Sequence, residues 1–280
     1  MTRWLELAAE VPPEAEEAAA DILRRFAPRG VSIEPAGESV VVKAWLPEGD
    51  DLARQRRAAR RALASLPAKV RTCWRQEEDW AEAWKAFFPV LRVSRRLVIC
   101  PAWRSYRARA GEAVIRIDPG MAFGTGQHPT TLMCLRALEE TVRPGAAVLD
   151  LGAGSGILAL AAAHLGATGV LALDTDPLAV RAARENVRLN GLEAIVRVEE
   201  GTLEGELGPF DVIAANISAP VIIELAGAMA AALRPGGALI AGGFSEERAA
   251  PVAAALTAAG LRVERTLSDG EWRTHVGRRG

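Results

Sequence analysis

Val148-Leu149-Asp150-Leu151-Gly152-Ala153-Gly154-Ser155-Gly156-Ile157-Leu158 is the stretch that decides the fold. An apolar strand runs into a glycine-rich turn, and an alanine- and leucine-rich helix follows. Glycine lets the backbone turn tightly and lets a ligand approach the main chain. In an open α/β sheet such a turn lies at the carboxyl end of a strand, where ligands bind. The spacing is G-x-G-x-G. The dinucleotide fingerprint G-x-G-x-x-G requires glycine at position 157, where Ile157 stands. A strand–turn–helix without a ligand has the same local pattern, so the next strand carries weight. Val170-Leu171-Ala172-Leu173 ends in Asp174, about 20 residues past the first glycine, where an acid accepts hydrogen bonds from ribose hydroxyls. Asp176-Pro177 then reads as the cap of the following helix.

Outward from this core, strand-like and helix-like segments alternate. Val148 to Leu151, Val170 to Asp174, Val196 to Glu199, Val212 to Asn216 and Ala238 to Ala241 read as strands. This alternation predicts a mostly parallel sheet with helices on both faces. Upstream, Leu91 to Ala102 and Ala113 to Asp118 read as connecting strands.

The N-terminal segment has another grammar. Trp4 to Ala9 is a short strand, and Glu14 to Phe26 is a helix with an apolar stripe at Ala15, Ala18, Ala19, Ile22, Leu23 and Phe26. Val31 to Ile33 and Val40 to Trp45 are strands around Ala36-Gly37. A second helix, capped by Asp50-Asp51, carries Leu52, Ala59, Leu63 and Leu66, and Lys69 to Trp74 is a last strand. The order β-α-β-β-α-β is the split βαβ, or ferredoxin-like, motif. Trp80, Trp84 and Phe87 follow at i, i+4 and i+7 on one helix face, a packing pattern. The expected organisation is therefore a small α+β domain at 1–75, connecting elements at 76–118 and an α/β domain at 119–280.

Composition excludes several classes. Half the 280 residues are hydrophobic, a quarter are charged and the net charge is −1, so nothing global marks a nucleic-acid or membrane-surface binder. Cys73, Cys100 and Cys134 are far apart and odd in number, which argues against a disulfide framework or a zinc site and suits a reducing cytosol. The apolar stretch Ala146 to Leu173 is broken by Asp150, His164 and glycines, as a buried strand–helix–strand is and a membrane span is not. No basic flank and apolar core mark a signal peptide at Met1 to Glu10.

These motifs resemble the class I, Rossmann-like S-adenosylmethionine-dependent methyltransferases. The loop Gly152–Gly156 resembles their methionine-binding loop and Asp174 their ribose acid. Glu200-Gly201-Thr202 resembles the segment flanking adenine, and Asp211 to Asn216 the strand whose end faces the transferred methyl. Asp118-Pro119-Gly120-Met121-Ala122-Phe123-Gly124-Thr125-Gly126-Gln127-His128-Pro129-Thr130-Thr131, with Asn216-Ile217, resembles the signature of the methyltransferases that modify large-subunit ribosomal protein L11, the PrmA family. The segments Asp79-Trp80, Trp84-Lys85 and Pro101-Ala102-Trp103 are similar to that family's interdomain segment. No Asn-Pro-Pro-Tyr stands at Asn216, which argues against the relatives that methylate release-factor glutamine or nucleobase amines.

The resemblance implies S-adenosylmethionine as cofactor, contacted by Thr131, Gly152, Asp174 and Asn216 and covered by Phe123 and Gly124. Asn216 is the residue expected at the reacting centre. The substrate implied is lysine or N-terminal amines of the ribosomal protein, recognised by the N-terminal domain in a cytoplasmic setting, with no metal, no membrane and no direct nucleic-acid readout. Other readings stay open on the residues alone: a methyltransferase acting on another protein, RNA or a small molecule, a non-catalytic nucleoside-binding module, or a nicotinamide dehydrogenase. Ile157 disfavours the last. His128 lies in the signature, but Pro129 and Thr130 beside it suit a structural hydrogen bond better than a general base.

Overall fold

The computed structural model describes residues 3–27, 31–37, 39–49, 51–76, 88–118, 126–205 and 207–280. The chain divides into two compact units, Met1–Phe88 and Pro89–Gly280.

In the first unit, β1 (Arg3–Val11), α1 (Glu16–Arg24), β2 (Val31–Ala36), β3 (Ser39–Pro47), α2 (Leu52–Leu63) and β4 (Lys69–Gln76) follow one another in the expected order. They form an antiparallel sheet of order β2-β3-β1-β4. Alternate residues of β1 (Leu7, Ala9, Val11) and β3 (Val42, Ala44, Leu46) are buried against Ala19, Ala20 and Leu23 of α1 and Ala59 and Leu63 of α2. The α1 stripe departs from the sequence reading at one place: Ala18 is exposed and Ala20 is buried. Helix α1 begins only at Glu16, after a 3-10 turn at Pro13–Ala15.

The second unit opens with β5 (Leu91–Arg92), β6 (Leu97–Pro101) and β7 (Ala113–Ile117), a small sheet with β6 and β7 parallel. The single strand expected over Leu91 to Ala102 is broken because the Ser94 hydroxyl accepts from the Arg96 and Leu97 amides, turning the chain. Then come α3 (Pro129–Thr141), β8 (Ala147–Leu151), α4 (Ile157–His164), β9 (Gly169–Asp174), α5 (Pro177–Leu189), β10 (Val196–Glu200), β11 (Phe210–Asn216), α6 (Ala219–Ala232), β12 (Leu233–Ser245), α7 (Glu246–Ala258), β13 (Leu261–Asp269) and β14 (Trp272–Arg279).

The large sheet has the order β10-β9-β8-β11-β12-β14-β13. The pairs from β10 to β12 are parallel, and β14 and β13 close the edge antiparallel. Strand order reverses at β8, between β9 and β11, which is the switch point where ligands bind in such sheets. One face of the sheet packs on α3, α4 and α5 through Leu135, Leu138, Leu160 and Val187. The other packs on α6 and α7 through Ile222, Met229, Val252 and Leu256. The strands are buried on both sides, which is why they read as continuous apolar runs.

Candidate cofactor site

The glycine-rich turn is built by β9 as much as by β8. The amides of Gly152 and Ala153 donate to the Leu173 carbonyl at 2.8 and 2.9 Å, and the Gly154 amide donates to Asp174 Oδ2 at 2.8 Å. Gly152 holds φ +73° with Ile217 against it, so a Cβ there would overlap the Ile217 side chain. Both facts demand glycine at this position. Asp174 is half-buried, and its Oδ1 accepts from the Asp176 amide at 2.9 Å. A carboxylate oxygen takes more than one hydrogen bond, so this acid is oriented by the backbone with acceptor capacity left for a diol. Asp176 Oδ1 accepts from the Leu178 amide at 2.9 Å and caps α5, as the sequence implied.

At the other side of the switch point, Asn216 ends β11. Its Nδ2 donates to Thr131 Oγ1 at 3.2 Å, joining residues that lie 85 positions apart. Its Oδ1 is buried without a partner. Gly242 of β12 pairs with Asn216, and a Cβ there would come within 3.2 Å of Asn216 Oδ1 and 2.8 Å of both Thr274 Oγ1 and Cys134 Sγ. Gly242, Thr274 and Cys134 carry no sequence signal for this role. Gly242 meets Asn216 through the pairing of β12 with β11, Cys134 through the packing of α3 on the sheet, and Thr274 through the insertion of β14 beside β12.

Asp150 is fully buried. Its Oδ2 accepts from the Ala159 amide in the first turn of α4 at 2.9 Å, and its Oδ1 has no partner. Burial is the largest influence on its carboxyl and the nearby Asp174 charge adds to it, pushing the pKa up to about 7. The folded protein therefore holds this proton over a pH range in which the unfolded chain has lost it. Stability from Asp150 is complete below pH 4 and is lost as pH rises from 4 to 7, by up to about 4 kcal/mol. Denaturant unfolding of Asp150→Asn at pH 5 and pH 8 is expected to lack this slope. An unchanged slope in that variant overturns the assignment.

His128 caps α3. Its Nδ1 accepts from the Thr130 amide at 3.3 Å and lies 2.7 Å from Thr130 Oγ1, and its ring meets Trp272 edge-on at 4.6 Å. His275 is held between Thr266 Oγ1 and the Ala249 carbonyl, both at 2.9 Å, in a structural role. Thr131, Gly152, Asp174 and Asn216 are thus gathered at the carboxyl ends of β8, β9 and β11. Phe123 and Gly124 lie outside the described residues.

The site fits an S-adenosyl nucleoside on its own features. A side-chain-free cradle stands at Gly152, a backbone-oriented acid stands at the end of β9, and the buried Asn216 carbonyl oxygen is left to receive a donor. This sheet and site define a class I S-adenosylmethionine-dependent methyltransferase. Comparison with known proteins narrows the class. The model of the family described as ribosomal protein L11 methyltransferase (PrmA) matches residues 3–280, and the chain belongs to that family. It is 43% identical to the ribosomal protein L11 methyltransferase of Chloroflexus aurantiacus, over 99% of this chain and 98% of the relative. Identity to that of Pelotomaculum thermopropionicum is 45%, over 96% of each. The crystal structure of the ribosomal protein L11 methylase of Lactobacillus delbrueckii subsp. bulgaricus superposes with a TM-score of 0.63 at 34% identity. The match covers 68% of this chain and 99% of that one.

Proposed function

We propose that this enzyme methylates amines of ribosomal protein L11, on lysine side chains or at the N-terminus, and that it does so in the cytoplasm. The observation that carries the chemistry is the Asn216 carboxamide: Nδ2 is committed to Thr131, and Oδ1 is buried and unpartnered at the end of β11. The sulfonium cofactor supplies an electrophilic methyl group. Asp174 would accept from its ribose hydroxyls, the Gly152–Gly156 loop would receive its methionyl end, and Phe123 and Gly124 would cover it. Asn216 Oδ1 would accept an N–H of the substrate amine, aiming the nitrogen lone pair at the methyl. A protonated lysine has no lone pair and an ordinary pKa of about 10.4, so the amine must lose a proton before transfer. A closed apolar surround favours the neutral form, and the carboxamide positions it without acting as a base.

The N-terminal module, expected over 1–75, would be the recognition domain, with 76–118 as connecting elements and 119–280 as the catalytic part. Support comes from its separate core and from the position of Thr131, Gly152, Asp174 and Asn216, none of which belongs to it. Incubation with radiolabelled cofactor and ribosomes from a strain lacking this activity should label L11. Label on RNA, or none on protein, defeats the proposal.

Asp174→Ala is expected to weaken S-adenosylmethionine binding by about 1–3 kcal/mol, the cost of leaving hydrogen-bonding groups unpaired. Calorimetric affinity equal to the unmutated enzyme, with the fold intact, would falsify the ribose assignment.

A further inference from the structure

Asn186 of α5 and Asn190, which caps the C-terminus of that helix, grip the far edge of β7 and the residue after it. Asn190 Oδ1 accepts from the Arg116 amide at 2.9 Å and its Nδ2 donates to the Arg116 carbonyl at 2.6 Å. Asn186 repeats the pattern on Asp118: Oδ1 accepts from the amide at 2.8 Å and Nδ2 donates to the carbonyl at 3.0 Å. The spacing explains why this works. Four residues of helix advance about 6 Å, and two residues of strand advance about 6.6 Å, so carboxamides at i and i+4 match alternate strand residues. Side chains thus stand in for a neighbouring strand along an edge that would otherwise expose its backbone.

The two differ in one respect. The second Nδ2 proton of Asn190 goes to its own helix, to the Asn186 carbonyl at 2.7 Å. That of Asn186 goes to the Ser155 carbonyl at 2.9 Å, inside the glycine-rich turn. Asn186 is 1% exposed and Ser155 is fully buried. One carboxamide therefore spends both protons and its oxygen on two places, the end of β7 and the loop at the switch point. Gly156 reinforces the approach: a Cβ there would stand 3.2 Å from the Ala183 Cβ, so α5 lies directly under the turn.

We infer that Asn186 is a positioning residue for the cofactor, acting through Ser155 to set the shape of the glycine-rich loop, while Asn190 fastens β7 to its own helix. The inference rests on that loop holding the S-adenosyl group. Three alternate residues of the loop are glycines at positive φ, +73° for Gly152, +54° for Gly154 and +80° for Gly156, and bring no side chains to hold its shape. Bonds from outside the loop help to hold it, and those with Leu173, Asp174 and Asn186 reach it.

The test uses the full chain and S-adenosylhomocysteine, with affinity read by calorimetry and folding by thermal unfolding. Asn186→Ala is expected to weaken binding at least tenfold. Asn190→Ala, which removes a similar grip on β7, is expected to weaken it less than threefold even where its Tm falls as far. Equal weakening in the two variants, or affinity within threefold of the unmutated chain in Asn186→Ala, overturns the inference. If Asn186→Ala does not fold, Asn186→Asp serves instead. Its carboxyl still accepts from the Asp118 amide, but can donate to Ser155 only when protonated. Affinity relative to the unmutated chain should fall between pH 5.5 and 8 in Asn186→Asp and stay level in Asn190→Asp; a level ratio in both overturns it. Absence of binding by the unmutated chain is read separately, and defeats the cofactor reading on which the inference rests.

Discussion

A chain that begins at Glu77 is expected to bind S-adenosylmethionine normally and to methylate its protein target at least about a hundredfold more slowly than the full chain. Thr131, Gly152, Asp174 and Asn216 all lie in the second unit, whose core is formed by its own strands and helices. Cofactor affinity therefore has no structural reason to change. Protein methylation does. A single lysine or terminal amine offers little surface, and binding energy from a remote domain is what holds it against the methyl group. Loss of such positioning reaches orders of magnitude in rate. The measurement is cofactor affinity and L11 methylation by the shortened chain, once it is shown to be folded. Methylation at the full rate removes the recognition role from residues 1–75. A small-molecule acceptor would give that opposite result, since it would sit wholly within the second unit.

Asn216→Ala is expected to cut turnover by about a hundredfold or more, the scale lost when a reacting group is misplaced by about an ångström, with a smaller effect on cofactor affinity. The substitution frees Thr131 Oγ1 from its 3.2 Å bond and removes the buried oxygen that would receive the amine. Asn216→Asp separates the two roles. It keeps an oxygen for the amine but cannot donate to Thr131 when ionised, and it adds a charge that favours the unreactive ammonium. Its turnover should therefore recover only where the amine is driven neutral, at higher pH than the unmutated enzyme requires. If Asn216→Ala turns over at the normal rate, the residue is not at the reacting centre.

The parts of this molecule written in neighbouring residues were legible without coordinates. The run from Val148 to Ile157 is a strand, a turn and a helix start because glycine, β-branched and alanine residues each impose their own backbone preference. Asp174 and the Asp176 cap are read the same way, and the ferredoxin-like order of the first 76 residues follows from periodicity and turns. The breaks were also local in cause but easier to miss. Ser94 splits one expected strand into β5 and β6 with two side-chain bonds. The hairpin β13–β14, turning at Gly270 with φ +55°, was not among the expected strands although an Asp-Gly pair marks its turn.

Pairings across the chain are another matter, because they depend on sheet order, and strand patterns alone do not carry that order. That β14 slots between β12 and β13, and that α3 packs on the sheet, decides that Thr274 and Cys134 crowd Gly242 next to Asn216. Resemblance, not spacing, brought Thr131 and Asn216 into one site, and only the packing of α3 over the end of β11 makes them a bonded pair. The same holds for Asn186, which reads as an ordinary helix residue until β7 and the glycine-rich turn are placed on either side of it. By itself the sequence determined the element order of the first unit, the strands β8 to β12 and where a nucleoside-binding turn must lie, since those follow from each residue's own backbone and burial preferences. The tertiary structure alone decided which carboxamides hold that turn and which oxygen is left open beside it, because a hydrogen bond between distant residues exists only once the layers are packed.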